Sequence, residues 1–475
     1  MTDLEFMPAL QMAKRIAAKQ LSPVEVMANT LDRADAAQSS FNPFITIDGE
    51  AAMEAARMAE QAVIAGEELG VLHGVPFSAK DLLNSAGLRT TFGSFAFENN
   101  IPEKDCVAIA RMKSAGAILF AKTTTPEFGH KPLTEAPLFG RTLNPWDLTR
   151  TSGGSSGGAA AAVSAGIGPL AIGTDGGGST RIPAAACGVV GMKQTLGVVP
   201  HDQTQDVFGL LAYIGPITRT VDDAAIMLEI MSGPDNSDPH TLNTPAFKPD
   251  FEHSLKGRKV GWRRYLGNDF IDRQTSECFD RSLAVIADMG AELVELVDPF
   301  PDTLPIWGPL TFSIWASRFA VHAEKLGERM SQTLRIWMAE GASATAIEVQ
   351  RAMELRTVLY RQVQGWFDDV DLVLTPTLAR AALMADHDPF GPVLIDNQNA
   401  GGLRDGWYPY THPMNLTGHP AITVPNGWTG ENLPVGLQII GPWYGDDRVM
   451  AAAKAYELAC PWAERRPALE PRSHA

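Results

Sequence analysis

The stretch that decides the fold is Thr151–Pro200, which reads TSGGSSGG, AAAAVSAGIGPLAI, GTDGGGSTRIPAAACG, VV and GMKQTLGVVP. Ten glycines and five serines fall between Ser152 and Ser179. Glycine permits positive φ and a close approach of the backbone, at a cost in conformational entropy. Two glycine clusters around serines therefore indicate backbone amides that bind something. A pair of flexible linkers is the simpler alternative, but the Ala- and Ile-rich run between the clusters is typical of a packed helix and strand.

Three motifs carry a resemblance to a known family. GGSSGG at Gly153–Gly158 and GTDGGGSTRIPAAACG at Gly173–Gly188 resemble the two halves of the signature of the amidase signature family. GVPFSAKD at Gly74–Asp81 resembles the lysine motif of that family. The likeness extends from near residue 5 to PVGLQIIGP at Pro434–Pro442, which is nearly the whole chain. It implies the amidase signature fold and hydrolysis of an amide bond.

The residue patterns themselves also predict an α/β fold, with a mixed, largely parallel central sheet sandwiched by helices. A strand, helix and strand pattern occupies Lys259–Trp262, Gln274–Met289 and Glu292–Val297. This β-α-β rhythm indicates parallel strands. We expect residues 1–475 to form a single amidase domain, with a mostly helical insertion at about 301–368 and a loop-rich pocket wall at about 378–413.

Composition limits the classes of partner. The formal net charge of −16 argues against nucleic acid and anionic membranes, because both select basic patches. No apolar run reaches the length of about 18 residues that a membrane span needs, and the start of the chain lacks the features of a secretory signal. The four cysteines are widely spaced, which is typical of a reducing compartment. We expect a cytoplasmic enzyme with a small-molecule amide or carbamate substrate, no nucleic acid and no membrane partner; a homodimer stays open.

The second glycine cluster supplies a nucleophile and its donors. Amide hydrolysis needs a nucleophile, a base that later acts as an acid, and donors for the developing oxyanion. Ser179 directly follows Gly176, Gly177 and Gly178, so the amides of these glycines are predicted to form the oxyanion hole. Donors of this kind typically contribute about 2.7–4 kcal/mol each. We expect the flanking Asp175 and Arg181 to brace the turn without reacting.

The catalytic base is assigned by the resemblance. Ten histidines are present, but none belongs to a recognisable triad motif. The family implies a Ser–Ser–Lys triad in which Ser179 attacks, Ser155 relays the proton and Lys80 is the base, with a cis peptide between Gly154 and Ser155. Because a free lysine titrates near about 10.4, burial must depress the pKa of Lys80. We therefore expect Asp81 to point away from it.

Two positions bear on the pocket. The family usually carries Asn at the position of Thr124, so the local hydrogen bonding there is open. Gly129 falls where the family lines the acyl-binding region, and it is the predicted substrate-binding residue. The absence of a side chain at Gly129 predicts a roomier pocket.

Two other motifs compete with this interpretation. Gly153–Gly157 also fits the G-x-S-x-G nucleophile elbow, in which Ser155 attacks, but no strong strand precedes it and the Ser179 motif stays unexplained. Gly166–Ala171 formally fits the dinucleotide fingerprint, but it lacks the following β-α-β unit with its acidic residue. The sequence holds no H-E-x-x-H motif and no paired Cys/His set, so neither a metal nor a cofactor is expected.

The sequence thus predicts a hydrolase that cleaves apolar or aryl amides through an acyl-enzyme, with carbamates (urethanes) as a further substrate class. The first alternative is the glutaminase-type subunit of an amidotransferase, which needs partner chains. The second is a non-catalytic binding protein on the same fold.

Overall fold

The strands of the described residues build one large sheet and three small ribbons. The computed structural model describes residues 4–209, 211–251 and 254–468. Its strands, in chain order, are Phe44–Ile47 (β1), Pro76–Lys80 (β2), Ile118–Thr123 (β3), Glu135–Ala136 (β4), Gly140–Arg141 (β5), Leu143–Asn144 (β6), Asp147–Thr151 (β7), Leu170–Asp175 (β8), Val190–Lys193 (β9), Tyr213–Thr218 (β10), Lys259–Trp262 (β11), Glu292–Glu295 (β12), Leu372–Pro376 (β13), Leu394–Ile395 (β14), Gln398–Asn399 (β15), Ala421–Trp428 (β16) and Pro434–Ile440 (β17). Eleven of them form the sheet, in the order β1-β3-β2-β8-β10-β9-β16-β17-β13-β11-β12.

The α-helices are distributed along the whole described chain. They are Ala9–Ala17 (α1), Pro23–Phe41 (α2), Gly49–Ala65 (α3), Val107–Ser114 (α4), Gly157–Ser164 (α5), Arg181–Cys187 (α6), Val221–Met231 (α7), Arg273–Asp288 (α8), Leu304–Leu326 (α9), Gln332–Ser343 (α10), Ala346–Trp366 (α11), Leu403–Gly406 (α12), His412–Thr417 (α13) and Asp446–Ala459 (α14). Local chemistry sets several of the starts. Ser22 accepts hydrogen bonds from the amides of Val24 and Glu25, and Pro23 occupies the first turn of α2.

Hydrophobic clusters cover both faces of the sheet. Successive side chains of a strand point to opposite faces. In β8, Leu170 and Ile172 belong to the cluster that includes side chains of α1, α7 and α14, whereas Ala171 belongs to the cluster built with α2, α3 and α5. The sheet is therefore sandwiched by helices, as predicted.

The sheet is mixed, which confirms the predicted α/β fold class. Four of its ten strand pairs are parallel and six are antiparallel, so the parallel share is smaller than we expected. The predicted β-α-β unit does place β11 parallel to β12. The antiparallel excess has a local cause in β16 and β17, because a short turn can join only antiparallel strands.

Two regions in the second half of the chain, residues 301–368 and 378–413, lie mostly outside the large sheet. The three helices α9, α10 and α11 fill most of residues 301–368. Residues 378–413 hold the β14/β15 ribbon, the short helix α12 and irregular chain. No helix in the described ranges is long and apolar enough to cross a membrane. The four cysteines are free thiols.

Candidate active site

The side chain of Lys80 ends inside the protein, in a pocket of hydroxyl groups. Lys80 is the last residue of β2, a central strand whose residues are all buried. Its own exposure is 0%. The Nζ atom lies 2.7 Å from Ser155 Oγ, 2.9 Å from Ser156 Oγ and 2.9 Å from Thr174 Oγ1. An amine surrounded by three neutral hydroxyls is held without a direct carboxylate partner.

Burial sets the protonation of this amine. It lowers the pKa of Lys80 well below its usual value, and the field of Asp175 opposes that shift only in part. Asp81 points away, as expected from the sequence: its carboxylate accepts hydrogen bonds from the amides of Thr91 and Gly93. Burial also raises the pKa of Asp81 to about 6. The surroundings of Lys80 therefore favour the neutral amine.

The first glycine cluster is tied to the second one. The peptide bond between Gly154 and Ser155 is cis, as the resemblance implied. Ser156 Oγ donates to the carbonyl of Thr174 at 3.1 Å and accepts from its amide at 3.3 Å. The Ser156 amide donates to the carbonyl of Ser179 at 3.0 Å. Segments that are some 20 residues apart along the chain thus meet next to Lys80.

The second glycine cluster forms the turn between β8 and α6. Ser179 is half-buried and faces the same cavity as Ser155. The amide of Gly178 donates to Asp175 Oδ1 at 2.6 Å, so the prediction that Gly178 supplies an oxyanion donor is not supported. Across the described residues, the amides of Gly176, Gly177 and Ser179 have no hydrogen-bond partner. These three amides are the ones left to bind an oxyanion.

A buried ion pair braces this turn. The Arg181 guanidinium lies 2.9 Å from the Asp175 carboxylate, and both side chains have an exposure of 0%. Burial raises the pKa of Asp175, but the attraction of Arg181 outweighs it and the pKa falls to about 2. Arg181 also donates to Asn415 Oδ1, Gln438 Oε1 and the carbonyl of Thr411. The brace therefore connects the turn to α13 and β17.

Asn415 completes the brace, and the sequence did not predict it. Its Nδ2 donates to the carbonyl of Asp175 at 2.8 Å and to the Asp175 carboxylate at 2.9 Å. No motif links Asn415 to a residue 240 positions earlier in the chain.

Gly129 lies directly against Ser155. Its φ is +71°, a left-handed conformation that favours glycine. A Cβ at this position would lie 2.7 Å from Leu82 Cδ1 and 3.3 Å from Ser155 Oγ. The missing side chain thus leaves space beside Ser155, in the cavity that both residues line.

Thr124, where the family usually carries Asn, lies outside the group formed by Lys80, Ser155 and Ser179. The Thr124 hydroxyl is 2.5 Å from the hydroxyl of Thr142 and 3.2 Å from the carbonyl of Pro43. These contacts join the end of β3 to the loop before β1 and to the residue between β5 and β6. Thr124 does not line the cavity.

A cavity of about 230 Å³ opens beside Ser155 and Ser179. Aromatic side chains form much of its wall: Phe128, Trp307, Trp315, Phe319 and Tyr408. Trp307 approaches the second glycine cluster so closely that a Cβ on Gly177 would lie 2.7 Å from its ring. Trp307, Trp315 and Phe319 lie on α9, Tyr408 lies in the 378–413 segment, and Phe128 follows β3. No sequence motif marks these positions as a cavity wall.

No group of three or more His, Cys, Asp or Glu side chains is arranged to hold a metal ion within the part of the chain that the structure describes.

Comparisons with known proteins agree with this geometry. The profile of the family described as Amidase matches residues 25–450. An acylamidase from Rhodococcus erythropolis is 38% identical, covering 98% of each chain. A glutamyl-tRNA(Gln) amidotransferase subunit from Carboxydothermus hydrogenoformans is 33% identical, covering 98% of this chain and 100% of its own. The crystal structure of a bacterial aryl acylamidase of the amidase signature family superposes with a TM-score of 0.90 at 32% identity, covering 98% and 99%.

Proposed function

The chain belongs to the amidase signature family and is an amide-bond hydrolase, and from this premise we propose that it acts as a single chain on apolar or aryl amides with Ser179, Ser155 and Lys80 as its catalytic triad. One observation carries the assignment of the triad. The amine of Lys80 is buried, and it lies 2.7 Å from the hydroxyl of Ser155, which shares a cavity with Ser179.

The proposed reaction begins with a proton transfer. Neutral Lys80 accepts the proton of Ser155 Oγ while Ser155 takes the proton of Ser179 Oγ, and Ser179 Oγ bonds to the amide carbon. The tetrahedral intermediate collapses when the C–N bond breaks and the proton returns through Ser155 to the leaving nitrogen. Water then attacks the acyl carbon while the same pair accepts its proton. The bond between the acyl carbon and Ser179 Oγ breaks, the proton returns through Ser155 to Ser179 Oγ, and the carboxylic acid is released.

The oxyanion of the intermediate needs fixed donors. The amides of Gly176, Gly177 and Ser179 are suited to this role, since they have no hydrogen-bond partner among the described residues and belong to a turn that Asp175 and Arg181 hold in place. Donors that need no reorganisation stabilise the transition state more than the ground state.

The substrate class follows from the cavity wall. Phe128 and Phe319 stack with their ring centroids 4.1 Å apart, and Trp307 closes the side next to Gly177. Such a wall suits an aryl or alkyl group on the amide. The aryl acylamidase and acylamidase relatives support the same class, and we include N-aryl carbamates because, like aryl amides, they present a carbonyl bonded to an aryl nitrogen.

A glutaminase role, proposed from the amidotransferase relatives, fits the cavity less well. Glutamine carries an ammonium group, and a buried cation needs an acidic partner. No Asp or Glu is among the residues described as lining the cavity. The amidase role is therefore favoured.

The test uses the purified single chain. It should hydrolyse p-nitroacetanilide and an alkyl N-(4-nitrophenyl)carbamate, both read out as p-nitroaniline, faster than it deamidates glutamine, and a serine-directed covalent probe should label Ser179. Hydrolysis of glutamine alone, and only after a partner chain is added, would return the assignment to the amidotransferase class. Failure to label Ser179, together with no turnover, would favour the non-catalytic alternative.

A further inference from the structure

The cavity next to Ser179 has a charge opposite to that of the chain. Three basic side chains line it, those of Lys131, Arg318 and Arg404, and none of its described lining residues is acidic. The whole chain carries a formal net charge of −16. A cleft of one sign with low-dielectric walls attracts ligands of the other sign.

The three bases are not equivalent. Lys131 is neutralised, since its Nζ lies 2.6 Å from Glu135 Oε1. Arg318 and Arg404 have no acidic group within 4.0 Å in the described ranges. Burial lowers the pKa of Arg318, and the charge of Asp206 opposes that shift. Burial raises the pKa of Asp405, and the charge of its neighbour Arg404 opposes that shift. Two guanidinium groups therefore remain without an ion-pair partner.

Hydrogen-bond donors without a partner lie in the same cavity as Arg404. Arg404 Nε, Trp307 Nε1 and Thr311 Oγ1 are buried and have no partner in the described part of the protein. The exposures of Trp307 and Thr311 are 5% and 6%. Positions 307 and 311 lie one turn apart on α9, so they share one face of that helix. The Arg404 guanidinium lies over the Trp307 ring, 5.2 Å from its centroid.

From this donor set we infer that the substrate carries a carboxylate, bound by Arg404 together with Trp307 and Thr311. The inference rests on the proposed function and narrows its substrate class. Arginine and indole N–H groups only donate, and a carboxylate only accepts, often in a bidentate pair with arginine. Buried donors without a partner destabilise the free protein, and a carboxylate would satisfy them.

The position of the donors limits the substrate further. Trp307 contacts the turn at Gly177 and lines the same cavity as Ser179, so a carboxylate bound at the Trp307 indole lies close to the scissile amide. Short amides with a carboxylate fit this distance, such as the half-amide of a small dicarboxylic acid or an acylated amino acid or aminobenzoate.

The experiment compares matched substrate pairs. Succinyl-p-nitroanilide and its methyl ester differ by a charge on the acyl side, and 4-acetamidobenzoate and its methyl ester differ on the amine side. We expect the wild type to prefer the charged member of at least one pair. Arg404→Gln should lower kcat/KM for that member by about 10- to 100-fold, as the loss of charged hydrogen bonds predicts, while its ester changes by less than about 2-fold. Thr311→Val should also lower kcat/KM for the charged member more than for its ester, by a smaller factor than Arg404→Gln.

Controls separate this inference from the proposed function. Arg57→Gln removes an exposed charge of α3 and should leave both members of each pair unchanged. Arg404→Lys keeps the charge without the planar fork and should recover part of the preference. A wild type that prefers neither charged member, or a selective loss in Arg318→Gln and not in Arg404→Gln, overturns the inference. If the neutral esters still turn over and Ser179→Ala abolishes that rate, the proposed function stands even then.

Discussion

The Nζ of Lys80 lies 2.7 Å from the Oγ of Ser155, and the exposures of the two residues are 0% and 1%. This contact joins the end of a central strand to the loop before α5. It makes a neutral amine available to a hydroxyl that lines the cavity, and the proposed mechanism depends on it.

Replacing Ser179 by Ala should abolish turnover and leave the protein folded. Ser179 is half-buried, and the change removes one oxygen atom, so little packing is lost. Steady-state hydrolysis of p-nitroacetanilide and a thermal melt by circular dichroism measure the two effects. If the variant kept a substantial part of the wild-type kcat, Ser179 would not be the nucleophile.

Activity should depend on the protonation of Lys80. Only the neutral amine can accept a proton, and burial lowers the pKa of Lys80 well below its usual value. The value of kcat/KM should therefore fall as pH drops through the lowered pKa and stay level above it. A kcat/KM that stays level from alkaline pH down to the pH at which the protein unfolds would exclude Lys80 as the base.

The same pKa shift predicts how stability responds to pH. The folded-state pKa of Lys80 lies below the unfolded value of 10.5, so the unfolded chain binds more protons in that interval. The free energy of unfolding should decrease as pH falls from 10.5 toward the lowered pKa. Lys80→Met should reduce this slope and abolish turnover. Denaturant unfolding of both proteins at several pH values measures it, and equal slopes would contradict the assigned shift.

Ser155 and Ser156 provide a matched pair of substitutions. Both hydroxyls contact Lys80 Nζ, but only Ser155 lines the cavity, whereas Ser156 Oγ bonds the backbone of Thr174. Ser155→Ala should lower kcat by orders of magnitude, though less than Ser179→Ala, because a water molecule can replace the relay. Ser156→Ala should mainly lower stability, by about 1–3 kcal/mol, since it leaves the buried amide of Thr174 without its acceptor. An unchanged kcat in Ser155→Ala would remove Ser155 from the mechanism.

Gly129→Ala should lower both activity and stability, and Gly140→Ala is its control. Both glycines have positive φ, +71° and +80°, so both substitutions strain the backbone by about 1 kcal/mol. A Cβ at 129 would press on Leu82 and Ser155, whereas nothing lies within 4 Å of a Cβ at 140. Only Gly129→Ala should therefore lower kcat, by about 10-fold or more. Equal kinetics in the two variants would show that Ser155 tolerates the crowding.

Breaking the buried ion pair should destabilise the protein strongly. Asp175→Asn leaves the Arg181 charge buried without compensation, which costs about 3–5 kcal/mol. The pKa of Asp175 falls from 3.8 to about 2, so in the wild type the ionised carboxylate contributes about 2 kcal/mol of stability above the unfolded pKa, and this is lost as pH falls through the folded one. Denaturant unfolding at neutral pH and between these two values measures both effects. A variant as stable as the wild type at neutral pH would contradict the bracing role.

The sequence by itself determined the fold class and the family, and its motifs identified Lys80, Ser155 and Ser179 as the candidate catalytic residues. These follow from short contiguous motifs, because a turn of small residues at the end of a strand is a local property of the chain. The expectation that Asp81 points away from Lys80 also held.

Only the tertiary structure decided which other groups surround those positions. Asn415 contacts Asp175, which is 240 residues earlier in the chain. Arg404 contacts Trp307 from a segment whose sequence shows no hydrophobic periodicity. That Gly178 is not an oxyanion donor likewise depends on the position of the Asp175 carboxylate, which accepts the hydrogen bond of the Gly178 amide. Such contacts arise when separate helices pack onto one sheet, and hydrophobic periodicity specifies that packing without specifying which polar side chains meet.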